Sequence, residues 1–310
     1  MTTAAEAGRA LRDKTAVVGV GNTNYAALRE RDPNRTSYVL GAAAFEAALA
    51  DAGLPKSAID GLIVTRIPDY GAMATMLGLT HLKFTNVFQG AGRMAGMAVQ
   101  YAAMAVAAGL ADCVACVYGN DGRSAGATYG GEADRPVSAS YDALYGMTSP
   151  GANVAHMFRR HQYLYGTPEE TLGIVAVNDR ANAGLNPVAV MRSPITLEDY
   201  LNARYIAAPL RLLDYCLIND GSVCLIITSA ERARDLRRPP VLISATAAAA
   251  ELTENYAVTD MFYTPLQSMA ARVYRDAGIA REDIDLLEIY DNFTPTVLFT
   301  LEGMGFCAQG

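Results

Sequence analysis

The chain has 310 residues, of which 51 % are apolar and only 18 % charged, with a net charge of −7. That length suits one large α/β domain or two fused halves, and so little charge points to a large interior and an extensive subunit interface. The acidic balance, with no basic cluster interleaved with aromatics, excludes nucleic-acid binding.

The first residues, MTTAAEAGRALRDK, lack the apolar core of a secretion signal. TAVVGVG (15–21) is β-branched and predicts a strand. Its continuation, VGVGNTNY, holds a lone GxG. A dinucleotide fingerprint needs a third glycine opening a helix, so a tight turn is the better reading. SYVLGAAAFEAALADAGL (37–54) predicts a helix closed near Gly53, and AIDGLIVTRI (58–67) a strand.

TNVFQGAGRMAG (85–96) predicts a strand end at Asn86-Val87-Phe88, a bend at Gln89, and a helix opened by Gly90 and Gly92. A buried helix N-terminus there would offer free N–H groups and a positive dipole end to an anion or an oxyanion. Close glycine packing explains the same residues without chemistry. The helix runs over 92–110 and is followed by the strand DCVACVYG (112–119). Residues 94–111 are the most membrane-like stretch, but Gln100 and the alanines favour a buried helix over a span. The alternation of strand and helix predicts βαβ units and a mostly parallel sheet.

Residues 120–215 break this rhythm with Gly-, Tyr- and Ser-rich loops and polar helices. They are expected to form an inserted cap, after which GSVCLIITSAERARDL returns to a strand and a short helix. The expected division is residues 1–119 with 220–235 as one half, 120–219 as the insertion, and 236–310 as the second half.

The five cysteines have no framework spacing. Cys113 and Cys116 match CxxC inside an apolar strand, where two buried thiols fit better than a redox pair, so a reducing cytoplasm is expected. His81, His156 and His161 lack ligand spacing, so no metal site is expected. The three lysines, 14, 56 and 83, sit at no plausible pocket, which argues against Schiff-base chemistry.

The chain also repeats itself. DAGLPKSAID begins at Asp51 and DAGIAREDID at Asp276, an offset of 276 − 51 = 225. The same offset lays TAVVGVG on PVLISAT (240–246) and GLIVT (61–65) on LLEIY (286–290) without a gap, which points to an internal duplication. It makes 284–290 a central strand and leaves the second copy without counterparts of the long helix and the strands that follow it. Either truncation or a second polypeptide completing the sheet is then expected.

Tyr290-Asp291-Asn292 would stand at the carboxyl end of that strand, where open α/β sheets place their sites. Thr294 and Pro295 suit the N-cap and first turn of the next helix. A phenol at this place can give or take a proton once its pKa falls from about 10. A hydroxyl satisfied by backbone and an Asx turn is the structural alternative.

These residues resemble the thiolase superfamily, in its sterol-carrier-protein-x-type, lipid-transfer branch, over nearly the whole chain. The resemblance is carried by residues 180–229, with the Asn186-Pro187 loop and the Asp220-Gly221 turn, and by GLADCVACVYGND, which ends with Asn120 and Asp121. It implies a duplicated five-layer α-β-α-β-α fold. The family's N-x-x-C motif reads Asn86-Val-Phe-Gln89 here, so its nucleophilic thiolate is absent. Its H-D-C-F or N-E-A-F motif reads Tyr290-Asp291-Asn292-Phe293. A tyrosine there resembles the thiolase-like aldolases of steroid side-chain degradation. The resemblance implies retro-aldol cleavage of a β-hydroxyacyl-CoA, with Tyr290 and Asp291 catalytic and Gln89, Gly90, Gly92, Asn120 and Asn292 around the substrate and oxyanion. It further implies a homodimer through a sheet edge and a partner built of a zinc ribbon and an OB-like domain. Zinc would belong to that partner, with no cofactor in this chain. Family motifs that would fall after Gly310 are absent, in agreement with the truncation inferred from the repeat. An acyltransferase using Cys307, or a non-catalytic lipid-CoA-binding subunit, are the competing expectations.

Overall fold

A computed structural model of the chain describes residues 8, 10–89, 94–128, 149–249, 260 and 263–310. Its strands are β1 (Thr15–Asn22), β2 (Gly61–Thr65), β3 (Phe84–Phe88), β4 (Cys113–Asn120), β5 (Tyr205–Ala207), β6 (Leu210–Arg211), β7 (Gly221–Ser229) and β8 (Val241–Leu242). Its helices are α1 (Ser37–Ala52), α2 (Tyr70–Leu77), α3 (Met94–Ala107), α4 (Pro150–Tyr165), α5 (Glu170–Leu185), α6 (Leu197–Asn202), α7 (Ala230–Ala233), α8 (Thr264–Ala277) and α9 (Thr294–Gly303). Two compact units result. The first takes Met1–Gly126, Asn219–Ala248 and Arg272–Ile279; the second takes Ala127–Ile218, Ala249–Ala271 and Ala280–Gly310.

The first unit is built on one sheet of order β3-β2-β4-β7-β1-β8. Apolar residues on successive positions of β2 serve both faces. Leu62 and Val64 pack with Phe45 and Ala48 of α1, while Ile63 packs with Ala98, Ala102 and Val106 of α3. A strand buried on both sides must read as a continuous apolar run, and GLIVT does. Helix α1 starts where Thr36 caps the Val39 N–H and stops at Gly53, whose φ of 68° is the left-handed conformation that glycine adopts cheaply. At Gly21 a Cβ would collide with the backbone of Ala44 and Ala48, so glycine is what lets α1 lie directly on β1.

The sheet is mixed, a correction to the mostly parallel one expected. β2 runs parallel to β3 and β4, but β7 is antiparallel to both β4 and β1. The register gives the reason. Gly221 opens β7 beside Asn120, which closes β4, so the chain re-enters the sheet at the end it left and must run back. The duplication shows in the helices more than in the strands: at the same offset α8 ends at Ala277 as α1 ends at Ala52, and each is followed by a left-handed glycine, Gly278 (φ 66°) and Gly53 (φ 68°). Of 240–246 only Val241–Leu242 forms a strand, paired to β1. Residues 284–290 have no ladder among the described residues.

In the second unit α4, α5, α6 and α9 enclose Phe158, Leu172, Tyr200, Phe293 and Phe299. His161 Nε2 lies 3.0 Å from Glu302 Oε2 within this core, and the same carboxylate accepts the Tyr263 hydroxyl. Among the described residues no helix is long and apolar enough to cross a membrane.

Candidate active site

The carboxyl ends of the three parallel strands gather one set of expected residues. Gln89 follows β3 directly, is exposed, and donates its side-chain N–H to the Pro68 carbonyl at 2.9 Å, tying the turn after β3 to the turn after β2. That second turn begins at Arg66, whose φ of 59° is unusual for a residue with a side chain. Its backbone N–H points to the Phe88 carbonyl at 3.4 Å. The Phe88 ring meets Tyr101 of α3 edge-on, with centroids 5.1 Å apart. Gly90 and Gly92, expected to supply the oxyanion N–H groups, lie outside the described residues.

Asn120 closes β4 and donates to the Asn219 carbonyl at 2.7 Å. Asp220, next in the chain, is the anchor of the loop after β4. Its carboxylate accepts the Ser124 N–H at 3.0 Å, the Ser124 hydroxyl, and the Arg35 guanidinium at 2.8 Å. Burial alone would raise this carboxyl's pKa, but the donors from Ser124 and Arg35 outweigh it and hold it below the usual carboxylate range.

The second set, Tyr290-Asp291-Asn292, lies in the other unit, in the turn before α9. Tyr290 is 53 % exposed. The turn closes on Thr296, whose hydroxyl lies 3.2 Å from the Tyr290 carbonyl, 2.8 Å from Asn292 Oδ1 and 2.6 Å from the Phe293 carbonyl. The expected cap shifts by one residue: Phe293 is the N-cap, without a side-chain cap, and Thr294 is the first helical residue. Thr294 does not cap because its hydroxyl donates instead to the buried Asp214.

Two carboxylates here escape sequence reading. Asp179 of α5 has its pKa raised, first by burial and then by the negative charge of Asp291. Asp214, only 1 % exposed, also has its pKa raised by burial, against opposing hydrogen bonds from Thr294, the Arg211 N–H and Tyr200. A lone Asp inside RLLDYC was a usable signal for Asp214, since acidic residues seldom sit in apolar runs unpaired. Asp179 carried no such signal, because an Asp on a helix usually faces solvent. Cys307 is exposed, and its pKa is raised by partial burial and by Glu302. Among the described residues no group of three or more His, Cys, Asp or Glu side chains is placed to hold a metal ion.

Comparison with known proteins decides the family. The chain is 39 % identical over 313 residues to a protein named steroid side-chain-cleaving aldolase from Thermomonospora curvata, covering 95 % of this chain and 78 % of that one. This chain belongs to the thiolase superfamily, in its thiolase-like aldolase branch. It is 35 % identical over 317 residues to a 17-hydroxy-3-oxo-4-pregnene-20-carboxyl-CoA lyase from Mycobacterium tuberculosis, covering 97 % of this chain and 81 % of the relative. Residues 247–310 match the thiolase C-terminal domain-like family. Among solved structures, an Ltp2-ChsH2(DUF35) aldolase superposes with a TM-score of 0.86 at 36 % identity, covering 96 % of this chain and 78 % of that one. Human mitochondrial 3-ketoacyl-CoA thiolase superposes with a TM-score of 0.66 at 15 % identity, covering 95 % of this chain and 84 % of that one, a likeness of fold alone.

Proposed function

We propose that this chain is a carbon–carbon lyase that cleaves a β-hydroxyacyl-CoA by a retro-aldol reaction, with a steroid bearing a short oxidised side chain as the acyl group. One observation carries the reading. Gln89 stands where the N-x-x-C motif would put a thiolate, and its amide is engaged by the Pro68 carbonyl. An acyl-enzyme therefore has no nucleophile at this place, and a retro-aldol step needs none. The relatives named aldolase and lyase support the same class.

In the proposed reaction a base takes the β-hydroxyl proton. The oxygen's electron pair forms the ketone carbonyl, the Cα–Cβ bond breaks, and its electrons pass into the thioester as an enolate. A proton delivered to Cα completes a short acyl-CoA. Tyr290 is the proton-transfer group, and Asp291 orients it or its turn. The backbone N–H groups of Gly90 and Gly92 would hold the enolate oxygen. Asn292 shapes the turn that carries Tyr290, through Thr296, and Asn120, at the end of β4, would face the substrate.

The assembly proposed is a homodimer through a sheet edge, joined by a partner with a zinc ribbon and an OB-like domain. The solved aldolase's ChsH2(DUF35) component supports such a partner. A Cys307 acyltransferase is disfavoured, because a thiol whose pKa is raised gives little thiolate.

The test uses purified protein with its partner and a β-hydroxyacyl-CoA steroid. The expected result is a ketone and a short acyl-CoA, with no acyl adduct on the protein's mass. Tyr290→Phe should lower kcat by about 10²–10⁴-fold with little change in KM. A covalent acyl-enzyme overturns the reading; a Tyr290→Phe variant retaining more than about a third of turnover moves the acid–base role to another group.

A further inference from the structure

The turn that carries Tyr290 is attached, residue by residue, to a segment some eighty positions earlier in the chain. The Cys216 N–H donates to the Asn292 carbonyl at 3.2 Å. Tyr215 and Phe293 form an antiparallel bridge, with their rings edge-on at 5.0 Å. Asp214 Oδ1 accepts the Thr294 hydroxyl. The two segments are thus joined at three successive pairs, 216 with 292, 215 with 293, and 214 with 294.

Asp214 is itself fixed from the other side. Its carboxylate accepts the Tyr200 hydroxyl at 3.0 and 3.1 Å and the Arg211 backbone N–H at 2.5 Å. Tyr200 is fully buried. A buried carboxylate with three donors is held hard, because any movement would leave a polar group unpaired in the core. Its grip on Thr294 falls on the first turn of α9, a helix whose N-cap has no side-chain bond of its own. A negative charge at that end also suits the helix dipole.

We propose that Asp214 is a positioning residue for Tyr290, fixing the 290–293 turn through the Thr294 hydroxyl so that the phenol is presented in one orientation. This rests on the assignment of Tyr290 as the proton-transfer group. Asp214 itself touches no reacting atom. A small misplacement of a catalytic group costs turnover more than binding, because the exact geometry matters only in the transition state.

Thr294→Val tests the link with the least damage, since Asp214 keeps its bonds to Tyr200 and Arg211. With the partner present, kcat should fall about tenfold while KM stays within about twofold. In a Tyr290→Phe background the same substitution should cost less than about twofold, because two changes acting through one group are not additive. A 3-fluorotyrosine placed at position 290 supplies a readout apart from catalysis. Its 19F resonance should shift or broaden in Thr294→Val, while a probe at the highly exposed Tyr163 stays unchanged. An unchanged resonance at 290 overturns the proposal, and so do additive losses of kcat. Should Tyr290→Phe prove fully active, the catalytic assignment fails, and the resonance alone still decides whether Asp214 positions the turn.

Discussion

Arg35 Nη1 lies 2.8 Å from Asp220 Oδ2, and the Asp220 side chain has no exposure to solvent. The guanidinium also donates to the carbonyls of Leu28 and Glu30, at 3.0 and 2.8 Å, so one cation gathers the segment before α1 and the start of β7. Replacing Asp220 with Ala would leave that cation without its carboxylate and free the loop after Asn120. The expected loss is about 3 kcal/mol of stability, read by denaturant unfolding. Because Asp220's pKa is depressed in the folded state, its contribution is present above the unfolded carboxylate value. It is lost as pH falls through the folded one. Wild type and Asp220→Ala should therefore converge in stability as the medium is acidified, and a gap that persists at the lowest pH would show that Asp220 acts by shape instead.

Gly21→Ala should be among the most damaging single changes in the first unit. The added methyl meets the main chain of Ala44 and Ala48, which cannot turn aside as a side chain could. A cost on the order of 3 kcal/mol is expected, seen as a lower melting temperature. A melting temperature within a degree or so of the parent would mean that α1 can lift from β1 freely.

Gln89→Ala should be mild. It removes one hydrogen bond, to Pro68, worth about 1 kcal/mol, so turnover should fall by no more than about fivefold. Gln89→Cys should not install thiolysis. A thiol there faces a peptide carbonyl, which takes no proton, and stays un-ionised near neutrality. Mass spectrometry after incubation with an acyl-CoA checks this, and an acyl adduct on Gln89→Cys would contradict it.

Asp179→Asn should stabilise the protein at neutral pH. Asp179's pKa is raised by burial and by the Asp291 charge, so its ionised form is disfavoured in the folded state. For such a group the favourable contribution is complete below the unfolded carboxylate value and disappears as pH rises through the folded one. The amide should thus bring a higher melting temperature at pH 7 and little or none below about pH 4. A benefit that is equal at both pH values would show that packing, and not charge, is responsible.

Much of the first unit is legible from local pattern. GLIVT, CVACVYG and the capped helix ending at Gly53 carry their burial and their boundaries in adjacent residues. The position of Tyr290 before a helix is legible for the same reason. Strand direction is not, since an apolar run looks alike whichever way its neighbour points, and β7 is antiparallel only because Gly221 pairs with Asn120. The repeat predicts a strand at 284–290, yet likeness of sequence cannot supply the neighbours a ladder needs. What Asp214 and Asp179 touch is hidden for a third reason. Their partners, Thr294 and Asp291, lie far away along the chain, and only tertiary structure brings them together.

Strand β7 separates β4 from β1, and residues 221–229 must be present before β1 can join the parallel strands. On a ribosome adding about 5–20 residues per second, β1 would emerge roughly 10–40 s before its partner. For that interval its apolar residues, Ala16 and Val18 among them, have no sheet to enter. The sheet's own order thus predicts that β1 closes onto the other strands only late in synthesis.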